Sequence, residues 1–305
     1  MIKDTTNSIS FQNLDRGSHY ADSDAISNLT AISVTCNSAH CVDNLKRSLL
    51  TVEHVIIVDN GSTDGTVEQM QLALPHATVL INKNNIGFGA ANNIALSTVG
   101  TDYALLINPD CLANKEDIAA LLNAAAEFPE AAIIAPTLIR RNGDIDVSYR
   151  WSRQCWKSRG PEASGACCVG FASGAIMLLN MRQMATIGFF DEDFFLYYED
   201  EDLCERVFAQ NKQIIVTPDI QVSHSNRGSV RGTRSLHFEF IRGYHHAQSK
   251  IFFHKKYDGL FNARKLHKRT LSLALIAIFM RLLYPQPKYL ARLLGRIFGL
   301  IHMKI

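Results

Sequence analysis

An apolar run that ends in a carboxylate is the first feature of this sequence that could carry chemistry. Residues 104–107 are Ala-Leu-Leu-Ile, and Asn108, Pro109 and Asp110 follow them directly. Hard divalent cations take oxygen ligands and complete their coordination shell with water and substrate phosphates, so Asp110 could anchor Mg²⁺ or Mn²⁺. Taken alone, the same residues could equally form a turn that caps a helix near Asn114.

Four consecutive acids form the second such feature, namely Glu199, Asp200, Glu201 and Asp202. Acids at the start of a helix interact favourably with the helix macrodipole, which explains part of the run. The largely aromatic residues 194–198 that precede it are expected to half-bury these carboxyls. Burial beside like charges raises the pKa of a carboxyl, and a raised pKa suits a general base.

Two polar turns rich in glycine and asparagine could contact a nucleotide. Residues 58–65 read VDNGSTDG, which places Asp59 at the end of an apolar run and a helix cap behind it. Residues 84–93 read NNIGFGAANN, and glycine before a helix lets the backbone approach a phosphate or a sugar closely. Each turn could instead simply connect a strand to a helix. The second lacks the third glycine of a dinucleotide-binding fingerprint.

A histidine and a basic loop occur together later in the chain. His224 follows the strand-like residues 220–223, and Arg227, Arg231 and Arg234 come soon after it. Arginines in such a loop could neutralise a diphosphate, although a solvated loop explains them equally well. A single histidine is more often structural than a metal ligand, so its role stays open at this point.

Short apolar runs alternate with helical patterns from Leu29 onwards. This alternation predicts an α/β fold with a mostly parallel central sheet and helices on both faces. Ligands of such sheets bind at the carboxyl ends of the strands, which is where each polar motif above falls. The predicted strands are residues 31–36, 54–59, 77–81, 103–107, 131–136, 170–179 and 213–217. The predicted helices are residues 42–51, 66–74, 89–99, 114–128, 181–187, part of 199–211, and 236–257.

The charge is divided unevenly along the 305 residues. Residues 261–305 contain nine Lys and Arg and no Asp or Glu, which leaves 22 basic and 29 acidic side chains, a net charge of −7, for residues 1–260. An acidic body argues against nucleic acid as a partner, whereas a basic tail suits an anionic membrane surface. The apolar residues 271–280 are too few to span a bilayer, for which about 20 are needed.

The tail is therefore predicted to form basic amphipathic helices that lie on a membrane, or else to pack on the body or on a second subunit. The polar N-terminal residues contain no apolar signal core, and the seven cysteines have no zinc-binding spacing. These features predict reduced thiols and a cytoplasmic protein held at the inner face of the membrane. The predicted organisation is a flexible leader at 1–28, a catalytic domain at 29–260, and the helical tail at 261–305.

Taken in order, these motifs resemble those of the family 2 inverting glycosyltransferases, which have the GT-A fold. The resemblance covers residues 29–259 and rests on five segments: residues 58–65, residues 85–93, Asn108 to Asp110, residues 198–203, and His224. Its later segments are most similar to bacterial rhamnosyltransferases of surface-polysaccharide synthesis, such as lipopolysaccharide or exopolysaccharide. It divides the catalytic domain into a nucleotide-binding half at 29–136 and an acceptor half at 137–260.

The resemblance implies a role for individual residues. Asp200 would be the general base, and Asp110 and His224 would hold Mg²⁺ or Mn²⁺. Asn108 stands where the family's metal-binding motif has its first Asp, so it would touch either the metal or the ribose. The implied donor-binding residues are Thr35, Asn37, Asp59, Asn85, Gly87, Asn92, Asn108 and Arg231. The implied acceptor-binding residues are Glu199, Asp202 and Trp151.

The implied reaction is a single displacement that inverts the anomeric carbon. The expected donor is dTDP-rhamnose, with a UDP-sugar next, and the expected acceptor is a saccharide or a lipid-linked saccharide. A nucleotidyltransferase that makes a nucleotide-sugar is one alternative, but it should have a basic glycine-rich loop after the first strand, where residues 35–40 read TCNSAH. A non-catalytic homologue that only binds nucleotide-sugars is the other.

Overall fold

The computed structural model describes residues 26–140, 142–146, 148–150, 163–225, 235–283 and 286–304. Its strands are β1 (Leu29–Thr35), β2 (His54–Asp59), β3 (Thr78–Ile81), β4 (Tyr103–Ile107), β5 (Cys111–Leu112), β6 (Ala131–Ile139), β7 (Ile145–Asp146), β8 (Tyr149–Arg150), β9 (Cys167–Cys168), β10 (Phe171–Ala172), β11 (Ile176–Asn180) and β12 (Gln213–His224). Its helices are α1 (Val42–Leu49), α2 (Thr66–Ala73), α3 (Phe88–Leu96), α4 (Lys115–Glu127), α5 (Met181–Ile187), α6 (Glu199–Ala209), α7 (Ser235–Leu283) and α8 (Pro287–Ile301).

One large sheet organises the chain, with the strand order β3-β2-β1-β4-β11-β6-β12-β5. Strands β1 to β4 pair with one another in parallel, as expected from helical crossovers. Strand β11 runs antiparallel to both β4 and β6, which the sequence pattern did not indicate. Strand β12 is parallel to β6 and antiparallel to β5.

Helices cover both faces of this sheet, which confirms the α/β prediction. Alternate residues of the buried strands point to opposite faces, so Ala31 and Ile32 belong to different apolar clusters. One cluster joins the sheet to α1, α2 and α4, through residues such as Leu45, Met70 and Leu121. The other joins it to α3, α5 and α6.

Two predicted strands differ from the observed ones in a way that shapes the site. The predicted strand 170–179 is divided into β10 and β11, because residues 173–175 leave the ladder and turn their backbone toward α6 and the end of β4. Predicted strand 213–217 continues to His224, with an irregular register between Thr217 and Gln221. Beyond this irregularity β12 stays paired with β6 and also pairs with β5, next to the point where the site begins.

The first predicted segment lies mostly outside the described residues, but its last three belong to the folded domain. Ile26 packs on the core, and the Asn28 side chain donates a 2.6 Å hydrogen bond to Asp102. Among the residues the structure describes, the cysteines are free thiols, as predicted.

Helices α7 and α8 form the C-terminal part of the described chain. Helix α7 runs through the predicted domain boundary and breaks at Gly259, where φ is 84° and ψ is 163°. Helix α8 then folds back and packs on the first half of α7 at glycines. No helix in the described part of the chain combines the length and apolar character needed to cross a membrane.

Candidate active site

The end of strand β12 brings His224 next to Asp110. His224 lies opposite Cys111 in the pairing of β12 with β5, and the Ser225 N–H donates a 3.0 Å hydrogen bond to the Asp110 carbonyl. Nε2 of His224 consequently lies 3.5 Å from Oδ1 of Asp110. The structure thus brings together the two residues predicted to bind a metal, and it does so by backbone pairing.

The donor atoms around Asp110 fit a divalent cation. A carboxylate oxygen of Asp110, Sγ of Cys111 and a ring nitrogen of His224 lie within 4.8 Å of one another. The Cys111 thiol already donates to the carbonyl of Ala175 at 3.4 Å. Nδ1 of His224 is buried and has no hydrogen-bond partner among the described residues. A carboxylate and an imidazole remain, which together suit hard or borderline divalent cations.

Asn108 lies at the end of β4 beside this group. Its backbone N–H donates a 2.8 Å hydrogen bond to the Ala175 carbonyl, and the residue lines the same cavity as Asp110 and His224. Its contact with a donor stays a prediction.

The carboxylate of Asp200 is held in a fixed orientation at the start of α6. Oδ2 accepts a 3.0 Å hydrogen bond from the Gly174 N–H, and Oδ1 accepts a 2.9 Å bond from the Glu201 N–H. Gly174 belongs to the break between β10 and β11, so that break serves the site. Burial raises the pKa of Asp200 above its ordinary value, whereas the Gly174 and Glu201 donors and the charge of Arg150 oppose the rise.

Glu199 is the more deeply buried neighbour of Asp200. Its side chain also faces the cavity, and Oε2 has no hydrogen-bond partner among the described residues. Burial, and secondly the charge of Asp200, raise its pKa well above the ordinary value. Two adjacent carboxyls with raised pKa values therefore face one cavity.

The other two acids of the run hold α6 in place. Nη2 of Arg150 lies 2.8 Å from Oε1 of Glu201, with both side chains buried. Burial raises the pKa of Glu201 to about 7, although the Arg150 charge acts in the opposite direction. The side chain of Asp202 is 0 % exposed and is bound by Arg206, Lys256 and Tyr257. The prediction that Asp202 contacts the acceptor is therefore corrected, because its carboxylate is enclosed and joins α6 to α7.

A network of amides forms the wall of the cavity near β2 and β3. The Asn60 side chain donates to Oδ1 of Asn85 at 2.9 Å and to the Gly87 carbonyl at 3.0 Å. All three residues line the cavity. Gly87 has φ of +98°, and a Cβ there would lie 2.5 Å from the Phe195 carbonyl oxygen. Glycine is required here because α3 begins in contact with the aromatic segment 194–198.

Asn60 lies within the motif at residues 58–65, but its residue type alone did not single it out as a site residue.

Three of the predicted donor residues, Thr35, Asn37 and Asp59, brace the neighbouring loop and do not line the cavity. Thr35 donates to Oδ1 of Asp59 at 3.0 Å, and Oδ1 of Asn37 accepts from the Thr63 N–H at 2.9 Å. Donor contacts by Thr35, Asn37 and Asp59 stay predictions.

The structure corrects the prediction that Asn92 contacts the donor, and it does not test the predictions for Trp151 and Arg231. Asn92 is buried, and its amide donates within α3 to the Phe88 carbonyl at 3.0 Å, so it faces the protein interior. Trp151 and Arg231 lie outside the described residues.

Helix α7 packs against the aromatic segment 194–198, which precedes the acidic run. Tyr197 and Tyr198 have φ values of 69° and 71°, a backbone conformation that bulky residues rarely adopt. Tyr198 packs on Phe253, and the Ser249 hydroxyl donates to the Leu196 carbonyl at 2.9 Å. These contacts of α7 stabilise the turn that aims Glu199 and Asp200 into the cavity.

The C-terminal helices close a cavity of about 750 Å³ above these carboxylates. One side of α7 and one side of α8 form this wall, which the sequence did not predict as part of the site. Its members are His237, Phe238, Ile241, Arg242, Gly243, His245, His246, Arg292 and Arg296. The i, i+4 spacing of Arg292 and Arg296 is compatible with one helix face, but their contact with the body depends on how α8 folds back.

Three comparisons with known proteins agree with this architecture. A family model described as glycosyl transferase family 2 matches residues 30–175. An N-acetylglucosaminyl-diphospho-decaprenol L-rhamnosyltransferase of Mycobacterium tuberculosis is 26% identical over 240 residues, covering 68% of this chain and 77% of that protein. The hexosyltransferase Agl10 of low-salt glycan biosynthesis in Haloferax volcanii is 26% identical over 202 residues, covering 62% of this chain and 64% of that protein.

Solved structures show the same fold. A mannosyltransferase of Pyrobaculum calidifontis, in complex with GDP-Man and Mn²⁺, superposes with a TM-score of 0.53 and 16% identity, covering 90% of this chain and 87% of that one. The GalNAc-T7 structure with UDP, GalNAc and Mn²⁺ superposes with a TM-score of 0.51 and 12% identity, covering 65% of this chain but only 43% of that one.

The fold is the GT-A fold, and its cavity lies at the carboxyl ends of the strands. The family match and the relatives identify the protein as a glycosyltransferase. Residues 30–175 match glycosyl transferase family 2, and rhamnosyltransferases are among the relatives of the chain. The family model ends at residue 175, before the acidic helix α6.

Proposed function

We propose that this enzyme transfers a sugar from a nucleoside-diphosphate donor to a lipid-linked saccharide with inversion at the anomeric carbon. Rhamnose is the first candidate for the sugar. One observation carries the proposal: Asp200, with its carboxylate fixed by the Gly174 N–H at 3.0 Å, faces the same cavity as Asp110 and His224. A base and a cation site in one cavity are what a single displacement requires.

The residues on the nucleotide-binding half would bind the donor. Asn60, Asn85 and Gly87 present amide groups at the ends of β2 and β3, where a base or ribose can be hydrogen-bonded. Asp110 and His224 would hold Mg²⁺ or Mn²⁺, which would supply positive charge to the diphosphate leaving group when bound. Asn108 lies beside them, within reach of the ribose or the metal.

Asp200 would accept the proton of the attacking acceptor hydroxyl. Its hydrogen bonds to two backbone N–H groups fix the carboxylate, and its raised pKa increases its strength as a base. Glu199, buried beside it, would contact the acceptor. The reaction needs no covalent sugar intermediate.

The acceptor is proposed to be presented at a membrane. The Mycobacterium tuberculosis relative is named for a saccharide linked through diphosphate to decaprenol. The second half of α7 carries exposed apolar residues beside the basic side chains of the tail, an arrangement suited to an anionic bilayer surface. We therefore place the protein at the inner face of the cell membrane, in cell-surface polysaccharide synthesis.

Replacement of Asp200 by Asn tests the proposal. The variant is expected to lose about 10²- to 10⁴-fold in kcat, the usual contribution of a general base, while it binds nucleotide-sugar with unchanged affinity. A panel of nucleotide-sugars, screened by thermal shift with Mn²⁺, first identifies the donor because a ligand of the native state raises the melting temperature. Near wild-type turnover by the variant would refute the base assignment, and no stabilisation by any nucleotide-sugar would favour a non-catalytic homologue.

A further inference from the structure

Two arginines of the last helix enter the cavity on the side formed by α7 and α8. Arg292 and Arg296 are one turn apart on α8, and both line the cavity. The predicted metal site lies on β4, β5 and β12, which are different elements of the fold. The cavity therefore has a cationic wall in addition to its metal end.

Close packing through glycines fixes α8 in this position. A Cβ on Gly243 would lie 2.0 Å from the carbonyl oxygen of Arg292, and a Cβ on Gly295 would lie 2.0 Å from that of Phe240. Neither position can hold a side chain, so the backbones of the two helices touch. The two arginines are consequently presented by rigid elements.

The positive charge of this wall is only partly neutralised. Glu239 accepts from Arg242 at 3.0 Å and also pairs with Arg292. Nε of Arg292 is buried and has no hydrogen-bond partner among the described residues. Arg296 makes no ion pair in the described part of the chain, and no ion pair there joins either α8 arginine to Glu199 or Asp200. One carboxylate therefore pairs with two of the three arginines of this wall.

The positive charge of this wall also lowers the pKa of a neighbouring histidine, His246. Burial, followed by the charges of Arg296, Lys250 and Arg292, lowers the pKa of His246 to about 4. His246 is thus neutral at physiological pH and adds no further repulsion. An anion that reached this wall would meet unsatisfied guanidinium groups on a half-buried surface.

We propose that Arg292 and Arg296 bind the diphosphate group of the acceptor. This inference rests on the proposed function and specifies the acceptor's chemical class. Guanidinium groups match phosphate oxygens in a planar, bidentate geometry. The donor diphosphate is served by the cation site at Asp110 and His224, on other elements. The hairpin of α7 and α8 also carries the exposed apolar residues, so a diphosphate between a sugar and a prenyl chain would lie where the cavity meets that hairpin.

Calorimetric titration with a short-chain prenyl diphosphate in metal-free buffer tests the inference. The full-length wild type is expected to bind, and Arg296→Gln to bind about ten- to a hundredfold more weakly, because a charge-assisted phosphate contact is lost. Arg296→Lys should recover part of the affinity. Lys288→Gln, on an exposed turn of the same helix, is the matched control and should bind like the wild type. Circular dichroism confirms that each variant is folded.

A second titration, with UDP and Mn²⁺, separates the acceptor from the donor as the source of the diphosphate. The affinity of Arg296→Gln for UDP should equal that of the wild type. Loss of UDP affinity with unchanged prenyl-diphosphate affinity would overturn the assignment, and so would equal prenyl-diphosphate binding by the wild type and Arg296→Gln. Both titrations measure binding without turnover. Their results therefore hold even if the Asp200→Asn experiment refutes the base assignment.

Discussion

Nε2 of His224 lies 3.5 Å from Oδ1 of Asp110, although the two residues are far apart in the sequence. The pairing of β12 with β5 creates this contact, and it joins the predicted nucleotide-binding half to the predicted acceptor half of the domain. A cation bound there would connect the two halves, so donor binding and the geometry of the site are expected to be coupled.

Loss of either partner of this pair should weaken the binding of Mn²⁺. His224→Ala and Asp110→Asn are each expected to reduce Mn²⁺ affinity in the presence of UDP by about tenfold or more, since each removes one of the protein's donor atoms. Isothermal titration measures this change. Cys111→Ala is the matched variant, and because its thiol already donates to the Ala175 carbonyl we expect unchanged affinity. A larger loss with Cys111→Ala than with His224→Ala would contradict the assigned ligands.

The acidic limb of the pH–rate profile should depend on Asp200 and not on Glu199. Burial raises the pKa of Asp200, so activity should be lost as the pH falls through a value above the ordinary range of an aspartate. The two carboxyls interact and titrate as a pair. The pKa of Glu199 is raised further than that of Asp200, so Glu199 is still protonated while Asp200 ionises, and Glu199→Gln, which resembles this neutral form, should leave the limb in place.

Profiles of kcat/KM at saturating Mn²⁺ measure the position of the limb in the wild type and in Glu199→Gln. Glu127→Gln, an exposed acid at the end of α4, is the control and should leave the profile unchanged. A limb that moves to lower pH in Glu199→Gln would contradict this order of ionisation, because it would show that Glu199 is charged while Asp200 titrates.

Close packing of α8 on α7 should make Gly295 intolerant of a side chain. Gly295→Ala places a Cβ 2.0 Å from the Phe240 carbonyl oxygen, and relief of this overlap should cost about 1–3 kcal/mol in the free energy of unfolding. The same change should reduce activity, because α7 supports the segment 194–198. Gly100→Ala has no heavy atom within 4 Å of its new Cβ and serves as the control. Urea denaturation compares the two, and an equal effect would contradict the packing argument.

Membrane attachment should depend on exposed apolar side chains in the second half of α7. Ile276 and Phe279 are 63% and 69% exposed. Their joint replacement by Ser should reduce sedimentation with anionic phospholipid vesicles, since burial of apolar side chains drives interfacial binding. Leu72→Ser, at an 84% exposed apolar position on α2, is the matched control. Deletion of residues 261–305 is a poorer test, because it removes α8 and one wall of the cavity.

The sequence was sufficient to predict those strands and helices whose residue pattern indicates which side chains are buried. Buried apolar runs and helical periodicity located strands β1 to β4 and the helices between them, because a continuous apolar run can only be a buried strand or core helix at that length. The same reasoning placed Asp110 at a strand's carboxyl end and Asp200 at a helix start. Those positions depend on local residue types and on the general rule for ligand binding by parallel sheets.

Only the tertiary structure decided which polar residues share the cavity. Asp202 and Asp200 are indistinguishable as members of an acidic run, yet one is enclosed by Arg206, Lys256 and Tyr257 while the other faces the cavity. The difference depends on how α7 crosses α6, and it is a contact between segments far apart in the chain. Arg292 and Arg296 reach the cavity for the same kind of reason. Their place depends on glycine contacts between two helices, which hydrophobic periodicity does not encode.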